Sequence, residues 1–165
     1  MKEEKMCTFT TDTPLGKIQA AAQNNALSGL WFVGQKYFPV ETNAWINKPD
    51  YPVFALLKTW LAEYFSRKNP EIPFPLLPEG TDFQQQVWKL LLEIPYGNTT
   101  TYGALAAALS AAGKKASAQA VGGAVGHNPI SLLIPCHRVL GADGSLTGYA
   151  GGLDKKRALL ELERS

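Results

Sequence analysis

Cys136 and His137 stand side by side in the stretch Ile134-Pro135-Cys136-His137-Arg138-Val139, a thiol next to an imidazole inside an otherwise apolar run. Sulfur attacks as the thiolate, and near pH 7 an ordinary thiol is mostly protonated, so a cysteine that does chemistry needs somewhere to send its proton. A histidine can take it. The pair therefore admits nucleophilic chemistry at sulfur. It equally admits a structural reading, because free cysteine is among the most buried residue types and packs as a small apolar side chain. Cys7 and Cys136 are the two cysteines, and with two histidines they match no familiar spacing for a disulfide framework or a four-ligand zinc site. No metal is expected, and a reduced, cytoplasmic protein is.

The elements that must hold this pair are visible on both sides of it. Leu132-Leu133-Ile134 reads as a short buried strand, and Pro135 then removes a backbone donor and fixes its own φ, so strand pairing should stop there. Cys136 would sit at the edge of a core, held but not sealed in. Neighbours on a strand point to opposite faces, which makes a direct contact between Cys136 and His137 awkward. Upstream, Thr99-Thr100-Thr101 leads into an alanine- and leucine-rich helix from about Tyr102 to Ala111, and Gly113-Lys114-Lys115 makes a turn. A second helix, about Ala116 to Gly126, ends before Asn128-Pro129, since the residue preceding a proline disfavours helix. Two short helices joined by a tight glycine-containing turn outline a helix-turn-helix. Ala118-Gln119-Ala120-Val121-Gly122-Gly123-Ala124 has almost no side-chain bulk, and each interior glycine costs a helix about 1 kcal/mol relative to alanine. Close packing of another helix would offset that, and so would close approach of a bulky ligand such as a nucleic-acid groove. Downstream, Ala142-Asp143-Gly144-Ser145 is a turn between Val139-Leu140 and Leu146. Thr147 to Gly152 is a flexible loop carrying Tyr149, and Leu153 to Glu163 is a closing helix.

The first half reads differently. Residues 6 to 33 predict a β-meander, with strands over Cys7 to Thr11, Lys17 to Ala22 and Leu27 to Val33. Nothing regular is predicted for 34 to 52. Phe54, Leu57, Leu61 and Phe65 recur at helical spacing and predict an amphipathic helix from Val53 to Lys68. Pro70, Pro73, Pro75 and Pro78 then mark a linker. Past it, Thr81 with Gln84 reads as a capping box for a helix whose buried stripe is Phe83, Val87, Trp88, Leu91 and Ile94, ended by Pro95-Tyr96-Gly97. The prediction is an α/β (α+β) protein of two domains. Residues 1–75 form a small antiparallel sheet plus helix, and residues 76–165 a mostly helical domain with the helix-turn-helix. With 165 residues, 45% hydrophobic and 18% charged, a folded chain is expected rather than a disordered one. Residues 1 to 79 carry 8 Lys+Arg against 8 Asp+Glu, and residues 80 to 165 carry 8 against 6, so the small positive excess lies in the second half. That permits a polyanionic partner without demanding one. Met1 to Lys5 lacks the apolar core of a signal peptide, and no apolar run reaches membrane-spanning length.

Four segments in this order resemble one family. They are Gly80-Thr81-Asp82-Phe83-Gln84 with Val87-Trp88 and Ile94-Pro95-Tyr96-Gly97, then Ala120-Val121-Gly122-Gly123-Ala124, then Asn128-Pro129 through Pro135-Cys136-His137-Arg138-Val139, and finally Gly148-Tyr149-Ala150-Gly151-Gly152. The family is that of the methylated-DNA-protein-cysteine methyltransferases, also called O6-alkylguanine-DNA alkyltransferases. The likeness spans residues 80 to 163, while residues 1 to 75 fit the family's N-terminal domain, ribonuclease H-like, in outline. It implies irreversible transfer of an alkyl group from the 6-oxygen of guanine in double-stranded DNA to Cys136, once per molecule and without a cofactor. By this resemblance His137 acts on Cys136 through a bridging water and Glu163 orients His137. Asn128 supports the active-site turn, and Tyr102 donates a hydrogen bond to the departing guanine. Tyr149, Gly151, Val139 and Lys156 belong to the alkyl pocket. The small-residue helix enters the minor groove, with Ala118, Gln119, Gly122 and Arg138 on the DNA side, and the target base is flipped out to reach the thiol. A monomer is implied. One departure stands out: the family commonly has an arginine where this chain has Gln119.

Two other classes compete with that reading. A thiol hydrolase would also use Cys, His and Glu, but no second motif of such enzymes is present. A helix-turn-helix binder, or a sensor that binds lesions without repairing them, would make no use of the thiol retained at the motif position.

Overall fold

The protein is described by a computed structural model over residues 5–39 and 44–164. Residues 1–4, read above for a signal peptide, lie outside the described residues. The chain forms two compact units, one from the chain up to Glu79 together with Pro129–Ser131, the other from Gly80–Asn128 together with Leu132 onward.

In the first unit, β1 (Cys7–Thr13), β2 (Gly16–Gln23) and β3 (Ala26–Phe32) form the expected antiparallel meander. Asn24 and Asn25 sit at φ +53° and +59°, the backbone of a tight hairpin turn that asparagine tolerates. The sheet is nevertheless mixed, because β4 (Ile46–Asn47) joins β1 in parallel and gives the order β3-β2-β1-β4. The open edge of β3 is also covered. Pro75 O accepts from Leu27 N–H at 2.9 Å and Leu27 O accepts from Leu77 N–H at 2.7 Å, while Leu30 makes the equivalent pair with Pro129 and Ser131. Part of the stretch expected as linker is therefore edge strand. Prolines are compatible with that position because their missing N–H faces away from the ladder. This edge pairing also carries the first unit to Glu79, beyond the boundary expected at residue 75. Helix α1 (Pro52–Phe65) buries Val53, Phe54, Leu57, Trp60, Leu61 and Tyr64, and Phe54 stacks on Phe9 with ring centroids 5.3 Å apart. It ends three residues before the expected Lys68, because Arg67 adopts φ +65°.

In the second unit, α2 (Asp82–Leu92) opens on the capping box that the sequence predicts. Thr81 Oγ1 accepts from Gln84 N–H at 3.1 Å, and Gln84 Oε1 accepts from Thr81 N–H at 3.0 Å. Its Val87, Trp88 and Leu91 are buried, and Trp88 Nε1 donates to Ala124 O at 2.9 Å. Strand β5 (Thr100–Thr101) pairs in parallel with β6 (Val139–Leu140). Helices α3 (Tyr102–Ala111) and α4 (Ala118–Gly126) are capped by the Thr101 and Ser117 hydroxyls, and α5 (Leu153–Arg164) packs against the turn that carries Cys136. Ser117 as cap explains why α4 begins two residues later than expected.

The strand expected over Leu132–Ile134 is not one. These residues are buried, yet they form turns with Leu132 at φ +71°, and Cys136–Arg138 is a single turn of 3-10 helix. Pro135, at φ −80° and ψ 64°, makes an inverse γ-turn closed by Cys136 N–H on Ile134 O at 2.8 Å. Burial of an apolar run does not by itself distinguish the two conformations.

Candidate active site

The 3-10 turn puts three consecutive polar side chains into the interior. Cys136 is 6% exposed, His137 0% and Arg138 8%. Asn128, just past α4, donates from Nδ2 to Ile134 O at 2.8 Å and so braces the γ-turn that presents the thiol. Burial pushes the Cys136 thiol up from the ordinary cysteine value, against the Asn128 hydrogen bond and the Lys156 charge, which pull it down. The sulfur therefore rests as a thiol and needs a base to become a nucleophile.

His137 has the geometry of that base. Its Nε2 lies 2.6 Å from Glu163 Oε2, and its buried Nδ1 has no hydrogen-bond partner among the described residues. A carboxylate on Nε2 fixes the neutral tautomer with the proton on Nε2 and the lone pair on Nδ1. Burial pulls the imidazole below the ordinary histidine value, with Glu163 pulling the other way. Successive residues of a 3-10 helix project about 120° apart, so Cys136 and His137 diverge here for a different reason from the one expected of a strand.

Glu163, on α5, receives four donors. Oε1 accepts from Arg138 Nε at 2.8 Å and from Gly97 N–H at 3.2 Å, while Oε2 accepts from His137 and from Arg138 Nη2 at 3.1 Å. Arg138 Nη1 donates to Ile94 O at 2.7 Å, and the guanidinium lies 5.8 Å from the Tyr96 ring centroid. This corrects the expectation that Arg138 contacts DNA: its donors point inward, to a carboxylate and a carbonyl. Gly97 sits at φ +82°, and a Cβ there would come within 3.2 Å of Glu163 O. Ile94 is legible in the sequence as part of a buried stripe and Gly97 as part of the helix stop, but nothing there announces their backbone groups as partners of the site.

Lys156, also on α5, is fully buried, and its ammonium donates to Val139 O at 2.6 Å, Thr147 O at 2.9 Å and Gly148 O at 3.1 Å. Burial lowers its pKa to about 8, and the negative charge of a Cys136 thiolate acts in the opposite direction. Three carbonyls for three N–H donors keep it mostly charged at neutral pH. Thr147 O also accepts from Tyr102 Oη at 3.0 Å, so one carbonyl ties the start of α3 to the lysine. Burial pushes the Tyr102 phenol up, with the Thr147 hydrogen bond opposing. Val139 is buried, and Tyr149 and Gly151 are half-buried in the loop before α5.

Ala118 and Gln119 are exposed on α4, and Gly122 is half-buried. A Cβ at Gly123 or Gly126 would meet nothing within 4 Å, and at Gly122 only the Tyr102 ring at 3.8 Å. Close packing of another helix is therefore not what these glycines accommodate.

A buried cysteine followed by a histidine held on a carboxylate, in the same unit as a pair of short helices joined by a tight turn, has the parts of a thiol site on a helix-turn-helix scaffold. Residues 82–165 match the model described as "6-O-methylguanine DNA methyltransferase, DNA binding domain", and residues 6–78 its "ribonuclease-like domain". Relatives named methylated-DNA–protein-cysteine methyltransferase include one from Mycobacterium tuberculosis, 47% identical over 94% of this chain and 91% of its own length. Another, from Methanosarcina barkeri, is 44% identical over 93% and 94%. A crystal structure of Mycobacterium tuberculosis OGT in complex with DNA superposes with a TM-score of 0.85 at 42% identity, covering 96% of this chain and 92% of that one. The chain belongs to the 6-O-methylguanine DNA methyltransferase family.

Proposed function

We propose that this protein repairs double-stranded DNA by taking the methyl group from the 6-oxygen of guanine onto Cys136, once and irreversibly. The observation that carries the reading is the His137–Glu163 pair, which leaves the buried Nδ1 without a partner among the described residues in the turn that also holds the buried Cys136 thiol. In the step, the Cys136 proton passes to His137 Nδ1 through a bridging water, and Glu163 stabilises the imidazolium that results. The sulfur electron pair forms the S–C bond to the methyl carbon as the C–O6 bond breaks. The released pair stays on the guanine, where negative charge gathers on its oxygen and ring nitrogens until a proton is taken up. Tyr102 is placed to donate there by leaving Thr147 O, which keeps its bond from Lys156. Tyr149, Gly151 and Val139 line the alkyl pocket, and Lys156 fixes its backbone. The product thioether is not readily hydrolysed, and the balanced step needs no cofactor.

The target oxygen is inaccessible in a stacked duplex, so the base is swung out. The bare face of α4, with Ala118 and Gly122, enters the minor groove, and Gln119 occupies the space the base leaves. The protein acts as a monomer. The decisive experiment incubates it with a duplex carrying 6-O-methylguanine and weighs the intact protein. A gain of one methyl group per molecule, absent in Cys136→Ala, is the expected result. Catalytic turnover would replace the reading with a hydrolase, and binding without mass gain would replace it with a lesion sensor.

A further inference from the structure

Arg138 commands a larger share of Glu163 than His137 does. Its fork takes both carboxylate oxygens, at 2.8 and 3.1 Å, and its third arm is anchored on Ile94 O at 2.7 Å. Gly97 N–H adds a fourth donor, so each carboxylate oxygen of Glu163 is met by two N–H groups. A bidentate guanidinium is also a directional clamp, which a lysine ammonium is not. The arginine and the histidine are adjacent in one 3-10 turn and converge on one carboxylate.

We propose that Arg138 is a positioning residue of the methyl transfer: it locks the Glu163 carboxylate onto Nε2 of His137, and its positive charge offsets that carboxylate so that the imidazole rests neutral, with Nδ1 open for the thiol proton. The charged groups that act on His137 are Glu163 and Lys156 from α5 and Arg138 from its own turn, with the Tyr96 ring beneath the guanidinium. Glu163 is the one anion among them. Left without Arg138, it would pull a proton onto His137 and close the base. The direction agrees with the imidazole lying below its ordinary value, where Arg138 and Lys156 both add to the effect of burial.

This inference rests on the methyl-transfer reading, and the test separates the two. Single-turnover transfer rates are measured from pH 5.5 to 9 for the wild type, Arg138→Gln and Arg138→Lys. Arg138→Gln removes the charge and should move the acidic limb of the profile up by about one pH unit, making it about tenfold slower below the limb and restoring most of the rate at pH 9. Arg138→Lys keeps the charge without the fork and should leave the limb near its wild-type position while lowering the plateau. A uniform loss across pH, with the limb unmoved in Arg138→Gln, would overturn the proposal and leave Arg138 a mere brace. Nitrogen-15 spectra of the wild type provide a reading that needs no variant to fold. With two histidines, His137 is assigned by difference from His127→Gln, and its Nδ1 should be unprotonated at pH 7. An imidazolium there would also overturn the proposal. If the wild type gains no methyl group at all, the functional reading fails instead.

Discussion

Replacing Glu163 with glutamine keeps the shape of the side chain and removes its charge, and the consequences can be worked through donor by donor. If the amide nitrogen takes the place of Oε2, it meets His137 Nε2 at 2.6 Å and Arg138 Nη2 at 3.1 Å. If it takes the place of Oε1, it meets Arg138 Nε at 2.8 Å and Gly97 N–H at 3.2 Å. Either way a donor faces a donor, and Arg138, 8% exposed, loses its counter-charge. Breaking a buried pair by removing one partner costs about 3–5 kcal/mol. At this chain length each kcal/mol shifts Tm by about 2–4 °C, so the melting temperature should fall by roughly 6–20 °C. His137 would also be free to turn its proton to Nδ1, which removes the base, and transfer should slow by about 10²–10⁴-fold. Circular dichroism melts and single-turnover transfer to a methylated duplex measure the two effects. A companion variant, Glu163→Gln with Arg138→Met, removes the stranded charge and should recover about half or more of the lost stability while the rate stays low. A single variant that melts within a few degrees of the wild type and transfers at its rate would refute the reasoning. So would a double variant less stable than the single.

Gln119→Ala should slow transfer from duplex DNA while leaving transfer from free 6-O-methylguanine unchanged, and Gln119→Arg should bind duplex DNA more tightly; equal duplex rates for alanine and glutamine would sink the flipping role. Stability should also depend on pH through His137. Its folded pKa lies below the unfolded value of about 6.5, so the unfolded chain takes the proton first. The contribution is complete above pH 6.5 and is lost as pH falls toward the folded value, at up to about 1.4 kcal/mol per pH unit. Urea unfolding at pH 7.5, 6.5 and 5.5 checks this, and a slope that persists in His137→Gln would assign it to another group.

Local signals in this sequence translated directly into structure. Thr81 and Gln84 announce α2 because the capping box is made within four residues, and the α3–α4 pair follows from Thr101, Gly113 and Pro129 in the same way. What the sequence hid depends on distant partners. The Pro75–Leu77 segment becomes edge strand only because β3 presents unpaired groups there. Leu132–Ile134 satisfies an apolar reading as turn or as strand, and Asn128, four residues upstream of Leu132, helps settle which. Arg138 illustrates the same limit within the site. An arginine beside a nucleophile in a DNA-associated motif invites a phosphate, and only the position of α5 reveals that Glu163 claims it first.

Glu163 and Lys156 both ride on α5, and the later of them follows Cys136 by 27 residues. Synthesis runs from the N-terminus at about 5–20 residues per second, so roughly one to five seconds pass between the making of the thiol and of the carboxylate that readies its base. Throughout that interval the turn that carries Cys136 and His137 exists without the helix that packs against it. Docking of α5 onto the Cys136 turn is therefore the folding event that brings Glu163 to His137: a chain in which that helix is undocked holds the thiol and the imidazole without the carboxylate that orients the ring.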